Sequence, residues 1–161
     1  MEIIEYEEKY LEDVRDLLVE LEEYIVSIDE DELDQVGEHY REKMALFDLK
    51  RVKENNGKTY LAIENGKAIG LIMGIIRKYE EEDYLDYKCP HSGNITELIV
   101  SEKARINGVG TMLMKKMEEY FKNCGCEYIF IDVFAYNKNA IKFYQNKDYH
   151  SRMYCMLKKI K

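Results

Sequence analysis

The chain has 161 residues, of which 46% are hydrophobic, and this predicts one globular domain over residues 1–161 with a substantial core. Its net charge of −8 argues against nucleic acid as a direct partner, because an acidic protein repels phosphate backbones. No apolar run reaches about 18 residues and the first ten residues are acidic, so we expect no membrane span, no signal peptide and a cytoplasmic protein.

Apolar spacing in the first third of the chain predicts a short strand and two helices. Ile3, Ile4 and Tyr6 are typical of a strand. Two stripes follow in which apolar residues recur at alternating three- and four-residue steps, the spacing of one helix face. The first stripe consists of Leu11, Val14, Leu18, Leu21 and Ile25, and the second consists of Leu33, Val36, Tyr40, Met44 and Phe47. We therefore expect two amphipathic helices.

A hairpin is predicted next. Asn65-Gly66 is a strong signal for a type I′ turn, with strand-like residues on both sides. The two strands are expected at residues 60–63 and 68–77. Gly70 and Gly74 in the second strand are expected to mark bulges or close contacts. The stretch that follows the hairpin is irregular.

The second half of the chain predicts strands that alternate with helices. A fourth strand is expected at residues 95–100, before a helix whose apolar stripe is Val109, Leu113, Met117 and Tyr120/Phe121. The apolar run 128–134 is typical of a strand that is covered on both faces. A helix at 137–146 and a last strand at 149–157 complete a mixed α/β order.

The turn between the fourth strand and the next helix reads Arg-Ile-Asn-Gly-Val-Gly, from Arg105 to Gly110. Such turns can hold phosphate, because the first N–H groups of a helix lack intrahelical partners and its dipole favours negative charge. Gly108 and Gly110 would let a diphosphate approach without a Cβ in the way. The P-loop ending and the GxGxxG spacing are absent, which argues against a nucleoside triphosphate. A phosphate-bearing cofactor and an ordinary strand-to-helix turn are the two interpretations.

A second segment favours the cofactor interpretation. Some 27 residues after Gly110 the chain reads Asn-Lys-Asn-Ala-Ile-Lys-Phe-Tyr, from Asn137 to Tyr144. Together the two segments resemble the signatures of the GNAT-type N-acetyltransferase superfamily, Gln/Arg-x-x-Gly-x-Gly/Ala and Asn-x-x-Ala-Ile-x-x-Tyr. The resemblance is sharp over residues 95–158. It implies a GNAT-like fold, with a central, mostly antiparallel sheet flanked by helices, and with the fourth and fifth strands splayed apart.

The resemblance also implies that acetyl-CoA is the cosubstrate. The scattered histidines and the spacing of the cysteines predict no metal site. The matching cofactor-binding residues are Leu98, Ile99, Val100, Arg105, Asn107, Gly108, Val109, Gly110, Thr111 and Asn137. The strand residues would pair with the pantetheine amides, and the turn would hold the pyrophosphate. Asn137 would contact the cofactor, or it would serve only as a helix N-cap. Asp148 replaces the family's usual glycine, and aspartate tolerates a left-handed conformation.

Two residues are candidates for catalysis. Tyr144 matches the family tyrosine that donates a proton to the departing sulfur, against the alternative of a structural tyrosine. Glu97 is the candidate base for the attacking amine, because a half-buried strand carboxylate can have its pKa raised towards neutrality. A solvated glutamate or a substrate anchor is the alternative for Glu97.

The predicted reaction moves an acetyl group from acetyl-CoA to a primary amine of a small cationic molecule or a peptide. The acidic stretches 27–32 and 80–87 are either solvated surface or a rim that attracts a cationic amine. A non-catalytic acyl-CoA sensor or interaction domain is the alternative function, and a nucleotide-binding regulator is disfavoured. A homodimer is possible on sequence grounds.

Overall fold

The computed structural model describes residues 1–105 and 108–161. Within that part of the chain, five strands form one sheet in the order β1-β2-β3-β4-β5. They are β1 (Glu2–Glu5), β2 (Lys58–Glu64), β3 (Lys67–Ile76), β4 (Ser92–Val100) and β5 (Tyr128–Ile131). The first four strands pair antiparallel, and β5 pairs with β4 in parallel. The predicted mixed α/β fold with a mostly antiparallel sheet is confirmed.

Two helices, α1 (Leu11–Ile28) and α2 (Tyr40–Glu54), cover one face of the sheet, which we call the α1/α2 face. The apolar stripe predicted for α1 is correct, because Val14 and Leu18 are fully buried. They pack in one cluster with Leu71 and Ile99 of the sheet. The Asn65-Gly66 hairpin is also confirmed, because both residues have the positive φ that a type I′ turn needs.

The opposite face is covered by α3 (Val109–Asn123) and α4 (Lys138–Gln145). The stripe predicted for α3 is confirmed, and Phe121 at its end is fully buried. A Cβ on Gly93 would lie 2.5 Å from the Phe121 ring, and one on Gly74 would lie 2.7 Å from it. These two glycines therefore let α3 lie close to the sheet, and Gly74 also adjoins a bulge in the β3–β4 pairing.

The fourth and fifth strands separate after only four paired residues. The parallel pairing runs from Ser92 with Tyr128 to Ile95 with Ile131, where β5 ends. β4 continues to Val100, paired with β3 alone over residues 97–100. This separation is the splay that the family resemblance implies, and it leaves one edge of β4 open.

The apolar stripe predicted for the second helix is wrong. α2 begins at Tyr40, and Leu33 and Phe47 of its predicted stripe are 69% and 59% exposed. The buried residues of α2 are Ala45, Asp48 and Val52, so the helix lies with a different face towards the sheet. Because Asp48 is acidic, a search for apolar spacing does not detect this buried face.

The predicted last strand, residues 149–157, is absent from the part of the chain that the structure describes. Residues 150–161 have no regular secondary structure and are exposed throughout. β5 also ends at Ile131 instead of residue 134. The alternation in this tail is compatible with a strand, but a strand needs a hydrogen-bonded neighbour, and no described strand pairs with the tail. No helix within residues 1–105 and 108–161 is long and apolar enough to span a bilayer.

Candidate active site

The glycine turn leads into α3 as the sequence predicts. Gly108 is the N-cap of α3 and has φ +73°, a conformation that favours glycine. A Cβ there would meet no atom of the described residues within 4 Å. A Cβ on Gly110, in contrast, would touch the Phe143 ring at 3.4 Å. The open approach to the start of α3 is therefore at Gly108, and Asn107 lies outside the described residues.

The side chains around this turn are already engaged with the protein. Val109 is buried in the core, and the exposed Thr111 accepts a hydrogen bond from Lys147 Nζ at 3.0 Å. Arg105 donates from Nε to the Val100 carbonyl at 3.1 Å, and its guanidinium lies 3.9 Å from Glu20. Backbone N–H groups at the start of α3 are thus the groups best placed for an anion, with Arg105 nearby as a cation.

The open edge of β4 presents the backbone of alternate residues. Ser101 N–H donates to the Ile69 carbonyl of β3 at 2.9 Å. Antiparallel pairing alternates, so the backbone groups of Ile99 also face β3, and those of Leu98 and Val100 face the open edge. Of the three strand residues predicted to bind the cofactor, these two have backbone groups on the correct side. The Val100 carbonyl already accepts from Arg105.

Tyr144 lies on α4 and is 9% exposed. Its ring packs edge-on against Phe143, with centroids 5.4 Å apart, and next to Tyr149 at 6.0 Å. Burial, and then the negative charge of Glu97, raise the pKa of Tyr144 to about 12. The hydroxyl therefore stays protonated at neutral pH and has a proton to donate.

Glu97 lies on the α1/α2 face of β4, directly opposite Met73 of β3. Burial, and then the charge of Asp48, raise the pKa of Glu97 to about 8, while the nearby Arg51 lowers it. The charge of Glu97 also acts on Tyr144, which packs on the opposite face. The two candidate catalytic residues therefore lie on opposite faces of the sheet, and the charge of one affects the pKa of the other.

The structure adds two acidic neighbours of Glu97, Asp48 and Glu22, that the sequence reasoning missed. Asp48 on α2 is 2% exposed, and burial raises its pKa to about 6. Glu22 on α1 accepts a hydrogen bond from the Tyr40 hydroxyl at 3.4 Å, and burial raises its pKa. The signal for Asp48 was its spacing, three residues after Ala45 and four before Val52.

Asn137 is the N-cap of α4, and its Oδ1 accepts from Ala140 N–H at 3.1 Å. The same oxygen accepts from the Tyr24 hydroxyl at 3.3 Å, which connects α4 to α1. This establishes the N-cap interpretation. The two interpretations are compatible, because the side-chain amide nitrogen of Asn137 takes no part in either bond.

The first acidic stretch has a structural role. Asp29 is buried, and its carboxylate accepts backbone N–H groups from Asp31, Leu33 and Asp34. Asp31 accepts from the Tyr136 hydroxyl at 2.9 Å. These residues order the chain between α1 and α2. The second stretch, 80–87, is mostly exposed. Over residues 1–105 and 108–161, no group of three or more metal-ligating side chains comes together.

Comparison with known proteins identifies the family. A sequence model described as "Acetyltransferase (GNAT) family" matches residues 12–149. An uncharacterized N-acetyltransferase, MJ1530 of Methanocaldococcus jannaschii, is 32% identical over 58% of this chain and 53% of its own length. N-alpha-acetyltransferase 60 of Xenopus tropicalis is 28% identical over 58% of this chain and 43% of its own length. The matches span about half the length of these relatives.

Solved structures share the fold. The aminoglycoside N-acetyltransferase AAC(6′)-Iy in complex with CoA superimposes with a TM-score of 0.69, at 17% identity and over 99% of each chain. At that identity the likeness concerns the fold alone. The family match covers most of the chain. It includes both signature segments, of which the glycine turn is one, and the two strands that splay apart. The chain belongs to the GNAT family of acetyltransferases.

Proposed function

We propose that this protein transfers the acetyl group of acetyl-CoA to a primary amine. The observation that carries the proposal is the open edge of β4 beside the turn at Gly108. The backbone of Leu98 and Val100 would pair with the pantetheine amides there. The N–H groups at the start of α3 would bind the pyrophosphate, supported by Arg105, Gly110 and Thr111. The CoA complex of the aminoglycoside N-acetyltransferase supports this choice of cosubstrate.

In this reaction the neutral amine attacks the thioester carbon, a C–N bond forms and the C–S bond breaks. Glu97, in its ionised form, accepts the proton of the amine, either directly or through water, and its raised pKa suits that task at mildly basic pH. Tyr144 donates to the departing sulfur. With its pKa near 12, against about 8.5 for a thiol, this donation is uphill by about 5 kcal/mol as a free proton transfer. A hydrogen bond that tightens as the thiolate develops is therefore the role that fits Tyr144.

The experiment compares acetyl-CoA binding in two glycine variants. Gly108→Ala and Gly66→Ala place a Cβ at positions with φ +73° and +78°, and both Cβ atoms would lie in open space. Both variants should therefore lose similar stability, roughly 1 kcal/mol, from backbone strain. Only Gly108→Ala should also weaken acetyl-CoA binding, by roughly tenfold or more, as measured by calorimetry.

Equal acetyl-CoA affinity in the two variants would refute the assignment of the pyrophosphate to this turn. Binding of ATP in competition with acetyl-CoA would favour a nucleotide-binding regulator. Tight acetyl-CoA binding without transfer to any amine would leave the non-catalytic sensor as the function.

A further inference from the structure

The buried stripe of α2 contains a carboxylate with one oxygen that no described residue satisfies by a hydrogen bond. Asp48 is 2% exposed between the buried Ala45 and Val52, and its Oδ2 has no hydrogen bond to any described residue. Burying an ionised carboxylate without a partner is strongly unfavourable, and buried polar atoms are nearly always satisfied. The site therefore lacks a hydrogen-bond donor that a ligand could supply.

A second unpaired polar atom lies on the same face of the sheet. Thr59 on β2 is 4% exposed, and its Oγ1 also has no partner among the residues that the structure describes. Thr59 pairs with Met73, and Met73 pairs with Glu97, so the three side chains point to the α1/α2 face in one row. Two strand spacings, roughly 10 Å, separate Thr59 from Glu97 beneath the helices.

Half-buried groups connect this region to the surface. Glu97, Glu22 and Tyr40 are partly exposed, and Tyr40 donates to Glu22 at 3.4 Å. These carboxylates lie on β4 (Glu97), α1 (Glu22) and α2 (Asp48). The charges of Asp48 and Glu22 both raise the pKa of Glu97, which places all three in one electrostatic cluster. The cation that opposes them, Arg51, is exposed.

We propose that Asp48, Glu22 and Glu97 form a binding pocket for an unbranched alkyl ammonium group. The inference rests on the proposed acetyl transfer and narrows its acceptor. An ammonium group supplies three N–H donors and a positive charge, which the Asp48 oxygen and the clustered carboxylates lack. Because Asp48 is deeply buried, the group must arrive on a slender chain. An aliphatic diamine or a lysine side chain fits, and the α-amine of a peptide, attached directly to its backbone, does not.

Binding of such a cation should release a proton. At neutral pH, Glu97 is largely protonated, since burial and the charges of Asp48 and Glu22 outweigh Arg51. The phenols of Tyr40 and Tyr144 stay neutral, because burial raises the pKa of both. A bound ammonium favours the ionised form of Glu97, so its proton leaves. Binding measured by calorimetry in two buffers of different ionisation enthalpy should report up to about one proton released at pH 7.

The test compares Asp48→Asn with Glu23→Gln, which removes a negative charge from an exposed position next to Glu22. The probes are 1,4-diaminobutane, N-acetyl-lysinamide, and a lysine-free peptide with a free α-amine. In Asp48→Asn, kcat/KM for 1,4-diaminobutane should fall by roughly 10- to 100-fold, the value of a hydrogen bond to a charged group. Acetyl-CoA affinity should not change, and the melting temperature should stay equal or rise. Glu23→Gln should match the wild type.

The three probes and the two readouts separate the possible failures. Transfer to 1,4-diaminobutane but not to N-acetyl-lysinamide assigns the pocket to small diamines, and the reverse assigns it to lysine side chains. Preference for the α-amine peptide would overturn this inference but leave acetyl transfer intact. A loss of stability in Asp48→Asn with unchanged kinetics would also overturn it. Should the wild type transfer no acetyl group, calorimetric binding of 1,4-diaminobutane still decides, and absence of binding refutes the pocket.

Discussion

The raised pKa of Glu97 predicts that Glu97→Gln stabilises the protein in a pH-dependent way. The pKa rises from 4.5 to about 8 on folding, mainly because burial disfavours the charged form. The ionised carboxylate therefore opposes folding. This destabilisation of the folded state is absent below pH 4.5, grows as pH rises and is complete above pH 8. At 1.36 kcal/mol per pH unit the full effect is about 5 kcal/mol, and contact of Glu97 with solvent reduces it to about 2–3 kcal/mol.

Urea unfolding at pH 5, 7 and 9 measures this effect. The chain contains no tryptophan, so far-UV circular dichroism is the suitable signal. Glu97→Gln should match the wild type closely at pH 5 and exceed its free energy of unfolding by about 2–3 kcal/mol at pH 9. Glu23→Gln, at an exposed position, controls for the loss of one charge. A stability difference that is constant or shrinks with pH would refute the burial argument.

Three further predictions follow from individual contacts. Tyr144→Phe should lower kcat by roughly 10²-fold while acetyl-CoA affinity hardly changes, and a loss of affinity with intact kcat would make Tyr144 a binding contact. Gly93→Ala should destabilise the fold by about 2 kcal/mol or more, because its Cβ would lie 2.5 Å from the fully buried Phe121 ring; an unchanged urea midpoint would contradict this. Asn137→Ala should remove the N-cap of α4 and cost about 1 kcal/mol, whereas Asn137→Ser should largely keep the cap. Weaker acetyl-CoA binding in both Asn137 variants would support a cofactor contact through the amide, and unchanged binding would leave Asn137 as a cap alone.

The sequence predicted the elements whose conformation depends on a single local property, either a positive φ or the burial of apolar residues. Asn65-Gly66 allows the positive φ of a type I′ turn, and Asp148 adopts φ +65° as expected for a residue in the family's glycine position. The α3 stripe was correct because every buried residue in it is apolar. Such elements follow from the sequence because steric limits or hydrophobic burial alone decide them.

The predictions failed where tertiary context decides. In α2 the exposed Phe47 is apolar and the buried Asp48 is acidic, so hydrophobicity pointed to the wrong face. The tail 150–161 has a strand-like composition, but strand formation depends on a neighbouring edge that composition does not encode. The same limit applies to the candidate site. The second signature segment predicted Tyr144 and the position on the fourth strand predicted Glu97, but the missing hydrogen bonds of Asp48 and Thr59 become visible only in the structure.

The most direct test of the account is a single incubation of the protein with acetyl-CoA and 1,4-diaminobutane, analysed by mass spectrometry. We predict mono-N-acetylated diamine together with an equal amount of free CoA, at a rate that depends on both substrates. CoA release without an acetylated amine, or no reaction although acetyl-CoA binds, would contradict acetyl transfer to an alkyl amine as the function of this protein.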